Sequence, residues 1–157
     1  MKKITFASFA ISALVSSNAL AAGNHAGGHD DEFAFGRPGN PAKATRTVAV
    51  EASDAMRYNP AKIRVERGET VRFVITNTGA IKHEFVIDEP QSLQEHAELM
   101  RRFPDMDHAE PNQVIIAPGA TETLVWQFTK AGEVDFACLI PGHFEAGMAG
   151  KIVVETK

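Results

Sequence analysis

The sequence predicts an all-β protein, a Greek-key β-sandwich of about seven or eight short strands with one short helical excursion. Three observations carry this. Apolar and polar residues alternate in short runs from Thr47 to Glu155. Turn-forming pairs punctuate those runs, as at Asn59-Pro60, Gly68-Glu69, Pro118-Gly119 and Ala131-Gly132. Only Ser92 to Arg102 shows helical spacing, with Leu93, Ala97 and Met100 on one face.

Taken in order, residues 1–22 read as a secretory signal peptide. Lys2-Lys3 forms a positive start, Ile4 to Val15 is apolar but too short to span a bilayer, and Ala19-Leu20-Ala21 or Leu20-Ala21-Ala22 offers a cleavage site. Residues 23–45 are rich in Gly, Pro, Asn and charge, which predicts a flexible leader carrying His25, His29 and the acidic run Asp30-Asp31-Glu32. The folded domain is expected over 46–157. Its strand candidates are Thr47–Glu51, Lys62–Glu66, Val71–Thr76, His83–Ile87, Val114–Ile116, Glu122–Phe128, Glu133–Cys138 and Lys151–Glu155. Ser92 and Glu95 have capping-box spacing, and Pro104 is positioned to end the helix they would start.

The 157 residues suffice for one domain with a real core. The net charge is −4; removing Lys2 and Lys3 with the signal leaves 14 basic and 20 acidic residues, a net of −6. Such a balance argues against a nucleic-acid partner. No other stretch is long and apolar enough for a membrane helix, so the expectation is an exported protein of the bacterial periplasm without a membrane anchor. An exported chain with a single cysteine cannot close an internal disulfide. A lone cysteine is commonly a small buried hydrophobe. In an oxidising compartment, metal ligation gains weight.

The segment around that cysteine is the most informative in the chain. Cys138, His143 and Met148 follow one another at five-residue steps. Thiolate, imidazole and thioether suit copper, and a trigonal blue-copper site needs one Cys, two His and a weak axial Met. His83, at the start of a strand, is placed to supply the second imidazole. These residues resemble the cupredoxin family, the blue-copper proteins such as plastocyanin and azurin. The likeness covers roughly 46–157 and rests on Asn59-Pro60 through Val65, Gly68 to Phe73, Asn77 to His83, and Cys138-x4-His143-x4-Met148 running into Gly150-Lys151-Ile152-Val153-Val154. The resemblance implies one type 1 copper per chain, with His83, Cys138 and His143 equatorial and Met148 axial. Family members usually carry Asn after the first His; here it is Glu84.

The same resemblance implies a binding or electron-transfer protein rather than an enzyme. A multicopper oxidase would need further such domains and His clusters, and a binuclear centre would need a second Cys. Leu139, Ile140, Pro141 and Phe144 around His143 suggest an apolar patch for a transient redox partner of a monomeric protein. The His-bearing leader and the excursion also resemble copper-induced, copper-resistance cupredoxins, so copper tolerance is the expected role, with one-electron transfer between periplasmic partners as the alternative. Two further copper sites are conceivable: the leader through His25 and His29, and the excursion through His96, Met100, Met106 and His108. Cleavage after Ala22 would place His25 third and complete a square-planar nitrogen chelate; cleavage after Ala21 would remove it.

Overall fold

Alternation along each strand sorts its side chains onto two faces, and among the described residues the apolar faces draw the strands into two five-stranded sheets. The computed structural model describes residues 33–104 and 110–157. The strands are β1 (Gly36–Pro38), β2 (Arg46–Ser53), β3 (Arg57–Asn59), β4 (Lys62–Glu66), β5 (Thr70–Asn77), β6 (His83–Asp88), β7 (Gln113–Ile116), β8 (Thr121–Phe128), β9 (Gly132–Ala137) and β10 (Ala149–Glu155). Helix α1 (Pro90–Arg102) lies between β6 and β7. The first sheet has the order β1-β8-β5-β2-β3, the second β4-β10-β9-β6-β7. Pairs β2/β5 and β4/β10 are parallel. Both joins cross between distant parts of the chain, as a sandwich of this kind requires.

The core sits between the sheets. On β5, Val71, Phe73 and Ile75 point inward, and Trp126 and Phe128 of β8 meet them from the next strand. Phe85 of β6 and Phe136 of β9 close the other side, their rings 4.9 Å apart. Each such buried side chain contributes on the order of 1.5–3 kcal/mol from area removed from water. Strand β6 is buried on both faces from His83 to Ile87. Phe85 and Ile87 join the main core, while Val86 joins a second cluster under α1 with Leu93, Ala97, Met100, Ala137 and Leu139. The helix therefore covers the outer face of the sheet that carries the cysteine.

All eight strands expected from the sequence are present, and two three-residue strands join them. Strands this short leave no readable alternation. One of them, β1, lies in the stretch read as a flexible leader. Residues 33–45 are held by its pairing to β8, Gly36 opposite Phe128, and by Phe33 and Phe35 against the Trp126 ring at 5.2 and 5.5 Å. The helix also differs at its start. Glu89 is the N-cap and makes no side-chain cap bond, and Pro90 opens the first turn. Ser92 thus falls inside the helix, and Glu95 accepts from Gln91 at 2.9 Å instead of completing a capping box. Proline needs no N–H partner at that position and its φ suits the first turn, so it sets the boundary. The buried face Leu93, Ala97, Met100 is as the spacing predicts.

Close contact between β9 and β10 gives a sharp test. A methyl group on Gly150 would overlap the Phe136 ring and come within 2.7 Å of the Ala61 carbonyl oxygen. Gly150→Ala is expected to cost about 1–3 kcal/mol in chemical denaturation; an unchanged midpoint and slope would contradict the packing described.

Candidate metal centre

Two strand ends and one loop converge at one end of the sandwich. His83 is the first residue of β6 and shares its inward face with Phe85 and Ile87. Cys138 follows the last residue of β9 and shares its inward face with Val134 and Phe136. The loop from Leu139 to Met148 then returns to β10 and is tied to itself throughout. His143 N–H donates to the Ile140 carbonyl at 3.0 Å, Met148 N–H to the His143 carbonyl at 3.0 Å, and Cys138 N–H to the Met148 carbonyl at 3.1 Å. Gly142 and Gly147 take φ of 91° and 90°, the left-handed region that lets the loop turn twice in so few residues. Arg57 braces it from β3 by donating to the Ala146 carbonyl at 2.9 Å.

This geometry brings together the side chains singled out in the sequence. One ligand atom each from His83, Cys138 and His143 lies within 4.8 Å of the others, and among the described residues this is the one group of three or more that could share an ion. Cys138 Sγ is 3.2 Å from His143 Nδ1. The two imidazole rings are 5.1 Å apart. His83 is 0% exposed, and its Nδ1 is buried with no hydrogen-bond partner, while its Nε2 is 3.1 Å from Asp54 Oδ1. A buried ring nitrogen without a partner beside a thiol fits a metal donor. Met148 is fully buried beneath the same loop. Imidazole, thiolate and thioether donors in one buried cluster suit copper rather than magnesium or calcium.

Burial sets the protonation states. Cys138 is pushed up to about 12, chiefly because a thiolate there loses its hydration, with backbone hydrogen bonds from Glu84 and Ile140 working in the opposite direction. Burial and the neighbouring His83 hold His143 below the usual imidazole range, which favours the neutral, ligating form. The Asp54 carboxyl is held low by the Ala80 N–H, and by His83 behind it.

The supporting roles of three residues escaped the sequence reading. Asn77, fully buried at the end of β5, donates to the carbonyls of Ile81 and Ile116 at 2.7 and 3.1 Å and accepts from Gly79 N–H at 2.9 Å, which fixes the approach to His83. Its Asn-Thr-Gly context signals a turn but not this role. Tyr58 OH donates to the Glu84 carbonyl from within the core. Asp54 lies 29 positions from His83, beyond any local pattern. Glu84 follows His83 directly in β6. Its backbone N–H donates to Cys138 Sγ at 3.3 Å, a bond that does not depend on side-chain identity. The Glu84 side chain itself is buried.

Two expectations change. Leu139 is not part of a surface patch: it is buried under α1, because Ala137 and Leu139 share the outer face that the helix covers. Pro141 alone of the four is exposed, with Ile140 and Phe144 half-buried beside the half-buried His143. In the excursion, Met100 is buried among Leu93, Ala97 and Leu139, while His96 lines a separate surface cavity of about 610 Å³ with Asp88, Glu95 and Glu110. The two therefore do not form a shared site. Met106 and His108, like His25 and His29, lie outside the described residues.

Comparison with known proteins agrees with this geometry. The model of the family described as copper binding proteins, plastocyanin/azurin family, matches residues 44–155. The chain is 61% identical over 133 residues to the copper-resistant cuproprotein CopI of Rubrivivax gelatinosus, covering 85% of this chain and 79% of that protein. It is 36% identical to the copper-resistant cuproprotein CopI of Pseudomonas aeruginosa, covering 78% and 83% respectively. Among solved structures, dithionite-reduced auracyanin of Roseiflexus castenholzii superposes with a TM-score of 0.62 at 22% identity, covering 71% of this chain and 98% of that one; at that identity it speaks to the fold.

The raised thiol has a direct consequence in the metal-free protein. At pH 8, Cys138 should react with iodoacetamide about 10³-fold more slowly than an unhindered cysteine, from its thiolate fraction alone. Denaturant should restore the ordinary rate. Ordinary reactivity in the folded protein would contradict the burial described.

Proposed function

The chain belongs to the plastocyanin/azurin family of copper-binding proteins, and from that premise we propose that it is an exported periplasmic protein of copper tolerance. In this reading His83, Cys138 and His143 hold one copper ion, with Met148 as a weaker fourth donor. The observation that supports the residue assignment is the convergence of the two imidazoles and the thiol within 4.8 Å, with His83 Nδ1 buried and without another partner. The observation that supports the role is 61% identity, over 85% of the chain, to a protein named for copper resistance.

Copper bound there supplies a one-electron couple between Cu(I) and Cu(II). The residues supply the rest. Cys138 must release its proton on metal uptake, since the buried thiol is protonated at neutral pH and only the thiolate ligates. For His143 the surroundings already favour the neutral form, which is the one that ligates. The sheet ends and the self-bonded loop hold the donors together without a metal, an arrangement that would limit rearrangement on a change of oxidation state. Export is supported by the signal-like residues 1–22; no helix among the described residues is long and apolar enough to cross a membrane.

The second reading, a one-electron carrier between periplasmic partners, draws on the half-exposed His143 beside exposed Pro141. Deleting the gene separates the two. Copper tolerance predicts growth inhibition at raised copper, normal respiration, and rescue by the wild-type gene but not by Cys138→Ser. A respiratory defect at low copper, with unchanged copper sensitivity, would overturn tolerance in favour of the carrier.

A further inference from the structure

We infer that Asp54 is a positioning residue for the metal centre, fixing the tautomer and orientation of His83 so that its Nδ1 lone pair faces the thiol. The inference rests on the reading that His83 is a copper ligand. An ionised carboxylate only accepts hydrogen bonds, so the 3.1 Å contact between Asp54 Oδ1 and His83 Nε2 places the proton on Nε2. A neutral imidazole carries one N–H, which leaves Nδ1 as the donor atom. Nδ1 is the buried nitrogen without a hydrogen-bond partner, so the two ends of the ring agree.

Asp54 is itself anchored. Its Oδ2 accepts from Ala80 N–H at 2.7 Å and its Oδ1 from Ile81 N–H at 3.5 Å, on the loop that leads into His83. The carboxylate lies so close to Gly79 that any side chain there would overlap it. One residue of the turn between β2 and β3 thus ties the β5–β6 loop and the ring of the first β6 residue into a single unit. Among the described residues, Asp54 is the polar partner of this ring edge.

Carboxylate–imidazole–metal arrangements orient the ring and raise its basicity, and their loss typically costs about 10–100-fold in metal affinity or activity. A more basic nitrogen donor favours Cu(II) over Cu(I). Asp54→Asn keeps an accepting oxygen and removes the charge; Asp54→Ala removes both. The test compares wild type and both variants in two states. In the metal-free proteins, nitrogen-15 NMR reads the His83 tautomer: Nε2–H is expected in wild type and Asp54→Asn, and a mixture in Asp54→Ala. In the copper-loaded proteins, both variants should show a higher reduction potential and a Cu(II) affinity lowered by about 10-fold or more, with the thiolate-to-copper band retained but shifted. An Nδ1–H tautomer in metal-free wild type would overturn the inference. So would variants with unchanged potential and affinity beside a wild type that shows a normal band. A wild type that takes up copper without a thiolate band would instead overturn the ligand assignment, and this inference with it.

Discussion

Holding a thiol and two imidazoles together in the dry end of a β-sandwich is the constraint on which the rest of this structure depends. Desolvation pushes the thiol up to about 12 and holds His143 below its ordinary range. Both shifts follow from taking charge out of water. A protonated thiol and a neutral His143 are therefore what the fold favours without an ion. A cation restores the balance, because it makes the thiolate the favoured form where the protein alone makes it the unfavoured one.

The scaffold keeps that cluster assembled through bonds made largely by backbone. Cys138 and Met148 are joined through their main chains, His143 is joined to both ends of its own loop, and the Cys138 sulfur accepts from the Glu84 amide. Side chains enter where loops must be held without a strand partner. Asn77 closes the approach to β6 with three hydrogen bonds, and Tyr58 reaches from β3 to the Glu84 carbonyl. Removing one partner from such buried sets leaves others unsatisfied, at roughly 1–3 kcal/mol each. Beside His83, the bond from Glu84 to the Cys138 sulfur comes from the main chain, so it does not depend on which side chain stands there.

Legibility in the sequence followed physical range. Alternation is a local signal, and it located eight strands; β1 and β3, three residues each, are too short to carry one. The Cys138, His143 and Met148 spacing is local as well; His83 was joined to it by the missing second imidazole and its place at a strand start, and the family likeness reinforced that choice. What local pattern could not reveal was contact across the fold. Leu139 looked like surface because nothing near it in sequence shows that α1 covers its face. The capping box failed because Pro90, two residues earlier, already opens the helix. Asp54 and Tyr58 reach the site from a different sheet, and no spacing rule connects them to it.

The central claim is that His83, Cys138 and His143 form one copper site. Titrating copper into the protein without residues 1–22 and into its Cys138→Ala variant, followed by visible absorption and electron paramagnetic resonance, tests it most directly. An intense thiolate-to-copper band that saturates at about one equivalent and is absent from the variant is the predicted result. Copper binding without that band, equally tight in the variant, would contradict it.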